Sequence, residues 1–305
     1  MKGIITKGIA GFFFVESGEE TYRCKARGIF KQQGIRPAVG DEVEFEIIEG
    51  NDDSIITEIL PRRNVFIRPF LANVECFAIV TSVARPAPIL RTIDRFLVMA
   101  EKADADIIVC INKVDLAGVG KEGKLKSSER KAAENLETLK ETYSPIYPVV
   151  EINGLTGDGI DSLKELIAGK RTALAGASGA GKSSILNCLH PDAFMETGSV
   201  SEKTSRGRHT TRHAELFRIP DGRGSLVFDT PGFTSFDILE ADEEELYLFF
   251  PEMAKFAGAC RYDNCRHLAE PGCAIKEALQ RGEINSERYE SYKAMIEEIR
   301  KASQY

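Results

Sequence analysis

Gly176-Ala177-Ser178-Gly179-Ala180-Gly181-Lys182-Ser183 is a complete G-x-x-x-x-G-K-S pattern. Glycines at these positions let successive backbone N–H groups curl around a phosphate, and the Lys182 ammonium can reach the β and γ positions. The Ser183 hydroxyl, followed by Ser184, can ligate Mg2+ at the start of a helix. Asn112-Lys113-Val114-Asp115 supplies what a phosphate loop lacks, a way to choose the base. Asp115 can accept hydrogen bonds from the N1 and N2 donors of guanine, which adenine does not offer. The methylene stem of Lys113 can cover the base, and Asn112 can tie this segment to the phosphate loop. A glycine-rich turn without ligand and a mixed-polarity surface turn are the bland alternatives. Each segment, however, follows a short apolar strand, where an open α/β sheet carries its ligands.

Asp229-Thr230-Pro231-Gly232 adds an acid for the Mg2+ shell and, at Gly232, an N–H for a γ-phosphate. Thr210 and Thr211 lie upstream in a polar stretch, 199–213, too long and too poor in apolar periodicity for a regular element. Thr211 is the better candidate to reach Mg2+. Together these segments form the guanine-nucleotide set of a GTPase, in an unusual order. Ras-like GTPases place the phosphate loop first; here Asn112 to Asp115 precedes Gly176, and Asp229 comes last, as in a circular permutation. The loop flanking the guanine then falls near Asn153-Gly154-Leu155. Phe233 stands where Ras-like enzymes have a water-orienting glutamine, so His209 becomes the candidate for that task, with Thr210 and Thr211 beside it. An RNA-binding factor that holds GTP only as a structural ligand is the rival reading, kept open by Phe233. An ATPase or kinase is opposed by Asn112 to Asp115.

Cys260, Cys265, His267 and Cys273 gather three thiols and an imidazole in one short segment. This donor set suits tetrahedral zinc, and four protein ligands leave no open position, so the site should be structural. The other four of the seven cysteines lie singly in apolar segments, which argues for a reducing compartment rather than a disulfide framework. No apolar run approaches the roughly 20 residues needed to cross a membrane, and no signal-peptide pattern opens the chain. The expectation is a cytoplasmic protein. A formal net charge of -7 confines any nucleic-acid contact to local basic patches.

The elements that must position these groups divide the 305 residues into three parts. Residues 1–68 alternate short apolar runs with turns, as five strands of an OB-type β-barrel would. Lys25, Arg27, Lys31 and Arg36, with Phe30 among them, form a candidate RNA-binding surface, and 62–69 reads as a linker. Residues 69–238 alternate strands with amphipathic helices, giving a multidomain α/β chain with a central circularly permuted P-loop GTPase domain. Strands are expected over 74–80, 106–111 and 146–150, and a hairpin over 214–219 and 225–228. Residues 239–305 are helical and enclose the cysteine cluster as a zinc-binding domain. Ile284, Tyr289, Tyr292, Met295 and Ile296 have the spacing of packing residues.

Taken together, these motifs cover essentially the whole chain, including Gly207-Arg208-His209-Thr210-Thr211, Phe233 and Tyr289-Glu290-Ser291-Tyr292. In that order they resemble the circularly permuted ribosome small-subunit-dependent GTPase A family of bacteria. The resemblance implies a GTPase that binds the small ribosomal subunit and its rRNA late in assembly. It also implies stimulation by the subunit, departure after hydrolysis, one structural zinc per chain, Mg2+ with GTP, and a monomeric state. It supports His209 in the hydrolytic step.

Overall fold

The computed structural model describes residues 1–48, 50–67, 69–118, 125–190, 214–233 and 241–302. Contacts group them into two compact units. The first comprises Met1–Phe77, Ile160–Leu174 and Lys182–Phe233; the second comprises Ala78–Gly159, Ala175–Gly181 and Thr234–Tyr305.

The first unit begins with β1 (Lys2–Ile9), β2 (Phe12–Ser17), β3 (Glu20–Ala26), helix α1 (Gly28–Gln32), β4 (Glu42–Glu46) and β5 (Ser54–Ile59). The hydrogen-bonded order β1-β2-β3-β5-β4, with β4 returning to β1, closes the OB-type barrel. Alternation puts Ile5, Val15, Cys24, Val43, Phe45 and Ile56 inside, all wholly buried. The expected surface is revised at Phe30, which lies in α1 and is buried. Segment 62–69 is also more than a linker. Its Val65–Ile67 is strand β6, which pairs with β7 (Phe70–Ala72). Arg62 clamps the buried Asp41 carboxylate through Nε at 2.7 Å and Nη2 at 2.8 Å. The same unit holds α4 (Ile160–Leu166), most of β11 (Arg171–Ala175), α5 (Lys182–Leu189), β12 (Glu215–Arg218) and β13 (Leu226–Phe233). The expected hairpin is present, with Glu215 opposite Asp229 and Arg218 opposite Leu226. β12 also pairs antiparallel with β1 of the barrel, with Lys7 opposite Glu215.

The second unit holds most of β8 (Cys76–Ser82), with β9 (Asp106–Asn112) and β10 (Val149–Ile152) in the order β10-β9-β8. β8 is buried along its length and β9 over all but its first residue, as strands covered on both faces must be. β10 starts later than the sequence pattern suggests. Ile146 and Tyr147 donate to the Tyr143 carbonyl, finishing the last turn of α3 (Ser127–Tyr143) before the chain can extend. α2 (Leu90–Lys102), α6 (Pro251–Ala254), α7 (Ala274–Gln280) and α8 (Ser286–Ala302) complete the unit. Ile284, Tyr289, Tyr292, Met295 and Ile296 are all buried packing residues. Among the described residues, no helix is long and apolar enough to cross a membrane.

One fully buried cation organises this second unit. Arg288 of α8 donates to Asp94 of α2 at 2.7 Å and to both oxygens of Glu252 in α6 at 2.8 and 3.1 Å. Its guanidinium lies 4.6 Å from the Phe250 ring centre, and Tyr143 of α3 donates to the same Asp94 oxygen. Removing one member of such a set strands buried charge, whereas neutralising all members does not. Arg288→Met should therefore lower unfolding free energy by about 3–5 kcal/mol. Combining it with Asp94→Asn and Glu252→Gln should restore most of that loss, as read by urea denaturation.

Candidate guanine-nucleotide and metal sites

β9 ends at Asn112, and the chain turns there because Lys113 adopts a left-handed conformation (φ 61°) before the 3₁₀ turn Val114–Ala117. That turn leaves Asp115 exposed and Asn112 buried. The Asn112 amide donates to Ala180 O at 2.9 Å, and its Oδ1 accepts from Lys113 N at 2.8 Å and Gly154 N at 3.0 Å. One side chain thus ties together the candidate base-selecting segment, the candidate phosphate loop and the loop expected to flank the guanine. Lys113 Nζ donates to Gly179 O at 2.7 Å and to the Arg85 carbonyl, stretching its stem over the edge of the loop. Burial and the Arg85 charge lower the Lys113 pKa, against the opposing pull of Asp115. Arg85 went unrecognised in the sequence because it contributes a backbone oxygen, which no residue type announces.

Gly176 and Gly181 are fixed by close approach. A Cβ on Gly176 (φ 141°) would meet Val80 O at 2.0 Å, and one on Gly181 (φ 101°) would meet Asn112 Nδ2 at 2.1 Å. Ala177, Ser178, Gly179 and Ala180 span the interval between them, with Ser178 and Gly179 exposed. The chain passes from the second unit to the first between Gly181 and Lys182. There α5 begins, carrying Lys182, Ser183 and Ser184 in its first turn. Burial alone lowers the Lys182 pKa to about 8, a shift that a nearby polyphosphate would reverse.

Asp229 lies in β13, which packs against α5 within the first unit. It is buried, and burial together with the adjacent Glu215 charge raises its pKa to about 6. Gly232 is the penultimate residue of the same strand. His209, Thr210 and Thr211 lie outside the described residues.

The cysteine cluster assembles as one group. The ligand atoms of Cys260, Cys265, His267 and Cys273 all lie within 4.8 Å of one another. His267 Nδ1 is 3.5 Å from both Cys260 Sγ and Cys273 Sγ, which are 4.0 Å apart. A tetrahedron with zinc–sulfur bonds of about 2.3 Å and a zinc–nitrogen bond of about 2.0 Å has edges of roughly 3.8 and 3.5 Å. The donor set therefore fits a zinc-sized ion, with Nδ1 rather than Nε2 facing it. Burial pushes the Cys265 thiol up to about 12, so a cation is what would hold that sulfur as thiolate. Two tyrosines of α8 brace the peptide around the imidazole. Tyr289 donates to His267 O at 2.7 Å and Tyr292 to Arg266 O at 2.9 Å. Purified protein should carry about one zinc per chain by metal analysis, following the four-ligand chemistry. Cys265→Ser should abolish stoichiometric metal and increase amide exchange over 241–302 while GDP binding persists; full retention of metal would contradict the ligand set.

Comparison with known proteins agrees with this geometry. Models of the RsgA N-terminal domain and the RsgA GTPase match residues 2–56 and 59–239. A "Small ribosomal subunit biogenesis GTPase RsgA" of Agathobacter rectalis is 39% identical, with 100% of both chains covered. One from Clostridium perfringens is 41% identical over 98% of each. The crystal structure of YjeQ from Thermotoga maritima superposes with a TM-score of 0.82 at 35% identity, covering 98% of each chain. YloQ, described as a circularly permuted GTPase, gives a TM-score of 0.77 at 32% identity, covering 99% of this chain and 95% of its own. These similarities run along the full length, from the barrel to the C-terminal helices, and the chain belongs to the RsgA GTPase family, enzymes that hydrolyse GTP.

Proposed function

We propose that this GTPase acts in late maturation of the small ribosomal subunit, binding it with GTP, being stimulated by it, and leaving after hydrolysis. The carrying observation is the Asn112 clamp, which holds a guanine-selecting segment against a phosphate loop in a chain whose curated relatives are named for small-subunit biogenesis. The protein would work in the cytoplasm, as a monomer.

In this reading Asp115 accepts the guanine N1 and N2 hydrogens while Lys113 covers the base. Backbone amides from Gly176 to Gly181 and the Lys182 ammonium hold the β- and γ-phosphates. Mg2+ would supply charge neutralisation between those phosphates, with Ser183, Asp229 and Thr211 as the residues to hold it. The Gly232 amide donates to the γ-phosphate. Water attacks phosphorus, the bond to the β–γ bridging oxygen breaks, and GDP and phosphate result. Phe233 has no polar atom to orient that water, so His209 takes the role beside Thr210 and Thr211. Turnover is then slow until the subunit stimulates it. Because the chain continues from Gly232 directly into 239–305, loss of the γ-phosphate is felt where the metal-binding helices begin. Zinc there would be structural.

The barrel offers an rRNA contact. On one face of β2 and β3, Phe12 and Phe14 stand opposite Lys25 and Arg23. The Lys25 ammonium and Arg23 guanidinium lie 4.9 and 5.3 Å from the Phe12 ring centre, an arrangement suited to stacking unpaired bases beside phosphate.

Two measurements test the reading. Adding purified small subunits should raise multiple-turnover phosphate release by at least about tenfold, within the range known for partner-activated GTPases; no stimulation at any subunit concentration would overturn it. Asp115→Asn should exchange guanine for xanthine nucleotide preference by on the order of a hundredfold, from the loss of a charge-assisted hydrogen-bond pair. Unchanged GTP selectivity would remove Asp115 from the site.

A further inference from the structure

Within the second unit, the turn that follows β8 lies against the candidate phosphate loop, and its backbone is held on several sides. Val83 N donates to Asn112 O at 3.2 Å, and Val83 O accepts from the Asn135 amide at 2.8 Å. Ser82 Oγ donates to Pro86 O at 2.8 Å, and Lys113 Nζ joins the Arg85 carbonyl to Gly179 O. A Cβ on Gly179 would stand 3.5 Å from Pro86 Cδ, so the turn packs directly on that glycine. Arg85 is exposed there with φ 54°, in the left-handed region that suits glycine and asparagine and strains a longer side chain. Among the described residues no ion pair or hydrogen bond occupies its guanidinium. Its charge is felt instead by the Lys113 ammonium, a second cation. Neighbouring cations repel, and an anion at the loop answers both. A strained backbone that presents an unpaired charge beside a ligand loop is the kind of local cost that function retains.

We propose that Arg85 is a further nucleotide-binding residue, whose guanidinium contacts the diphosphate of the guanine nucleotide held by Gly176 to Gly181. Its planar fork of N–H donors matches phosphate oxygens, and the pinned backbone limits the freedom lost when it binds. This rests on the reading of Gly176 to Gly181 as the phosphate loop.

Displacement of a fluorescent GDP analogue by GDP and by GMP, at one fixed Mg2+ concentration, tests the idea. Asparagine suits the left-handed backbone better than arginine, so Arg85→Asn should unfold in urea no earlier than wild type. It should nevertheless weaken GDP binding at least about tenfold, and binding of GMP, which lacks the β-phosphate, by less than about threefold, as loss of one charge-assisted hydrogen bond to that phosphate requires. Arg85→Lys keeps the charge without the fork and should recover part of the loss. Wild-type GDP affinity in Arg85→Asn, or equal losses for GDP and GMP, overturns the inference. A wild-type protein that holds GMP as tightly as GDP would instead remove Gly176 to Gly181 from phosphate binding, and the inference falls with that reading. Should Arg85→Asn prove less stable than wild type, Arg85→Gln decides by the same comparison: wild-type GDP affinity, or equal losses for GDP and GMP, in that variant overturns the proposal.

Discussion

The amide of Asn112 is the interaction on which the arrangement of the proposed guanine-nucleotide site depends. It is buried at the end of β9 and satisfies Ala180 O, Lys113 N and Gly154 N together. A circularly permuted chain cannot rely on sequence proximity to keep these segments together. Residues 112, 154 and 180 are separated by a helix and a strand or more, and a flexible connection of that length would leave them a wide range of positions. A two-sided amide is well suited to the task, because it both donates and accepts. An aspartate could not donate to the Ala180 carbonyl, and leaving that buried acceptor unpaired is costly. The glycine at 181 follows from the same constraint, since the space its Cβ would need belongs to the Asn112 nitrogen.

The second unit shows how α/β strands and C-terminal helices become one folded object. Arg288 brings α2, α6 and α8 to a common charge, and the same α8 presents Tyr289 and Tyr292 to the backbone around His267. The metal-binding segment is therefore braced from one side by a helix whose other contacts lie in the α/β core. Hydrophobic burial of Phe250, Met253, Tyr292, Met295 and Ile296 provides the bulk of the attraction. The charged set adds specificity of position, which buried ion pairs provide more reliably than net stability.

In the first unit, the barrel is joined to the nucleotide-binding strands by more than chain connection. Arg171, at the start of the strand leading to the phosphate loop, donates to Glu42 of β4 at 2.8 Å and to Glu75 at 2.9 Å. β1 extends the β12–β13 hairpin as a further antiparallel strand. Such pairing also covers an edge that would otherwise expose a row of unpaired backbone groups.

Local chemistry was legible in the sequence wherever a motif is contiguous. Gly176 to Ser183, Asn112 to Asp115 and the Cys260 to Cys273 group each carry their donors at fixed spacing, and alternation exposed the five barrel strands because period-two burial is a local property. Phe30 was misplaced because a basic, aromatic stretch reads the same whether its ring faces solvent or core; only packing of α1 decides that. The start of β10 was misplaced because helix termination competes with strand propensity over a few residues. Arg85 and Arg288 carry no motif at all. Their roles come from a pinned turn and burial among helices distant in sequence. The sequence by itself determined which residue types stand at fixed spacing in each motif and the order of the parts. The tertiary structure alone decided which distant charges meet, because hydrogen-bond register and exclusion of water are properties of the folded chain.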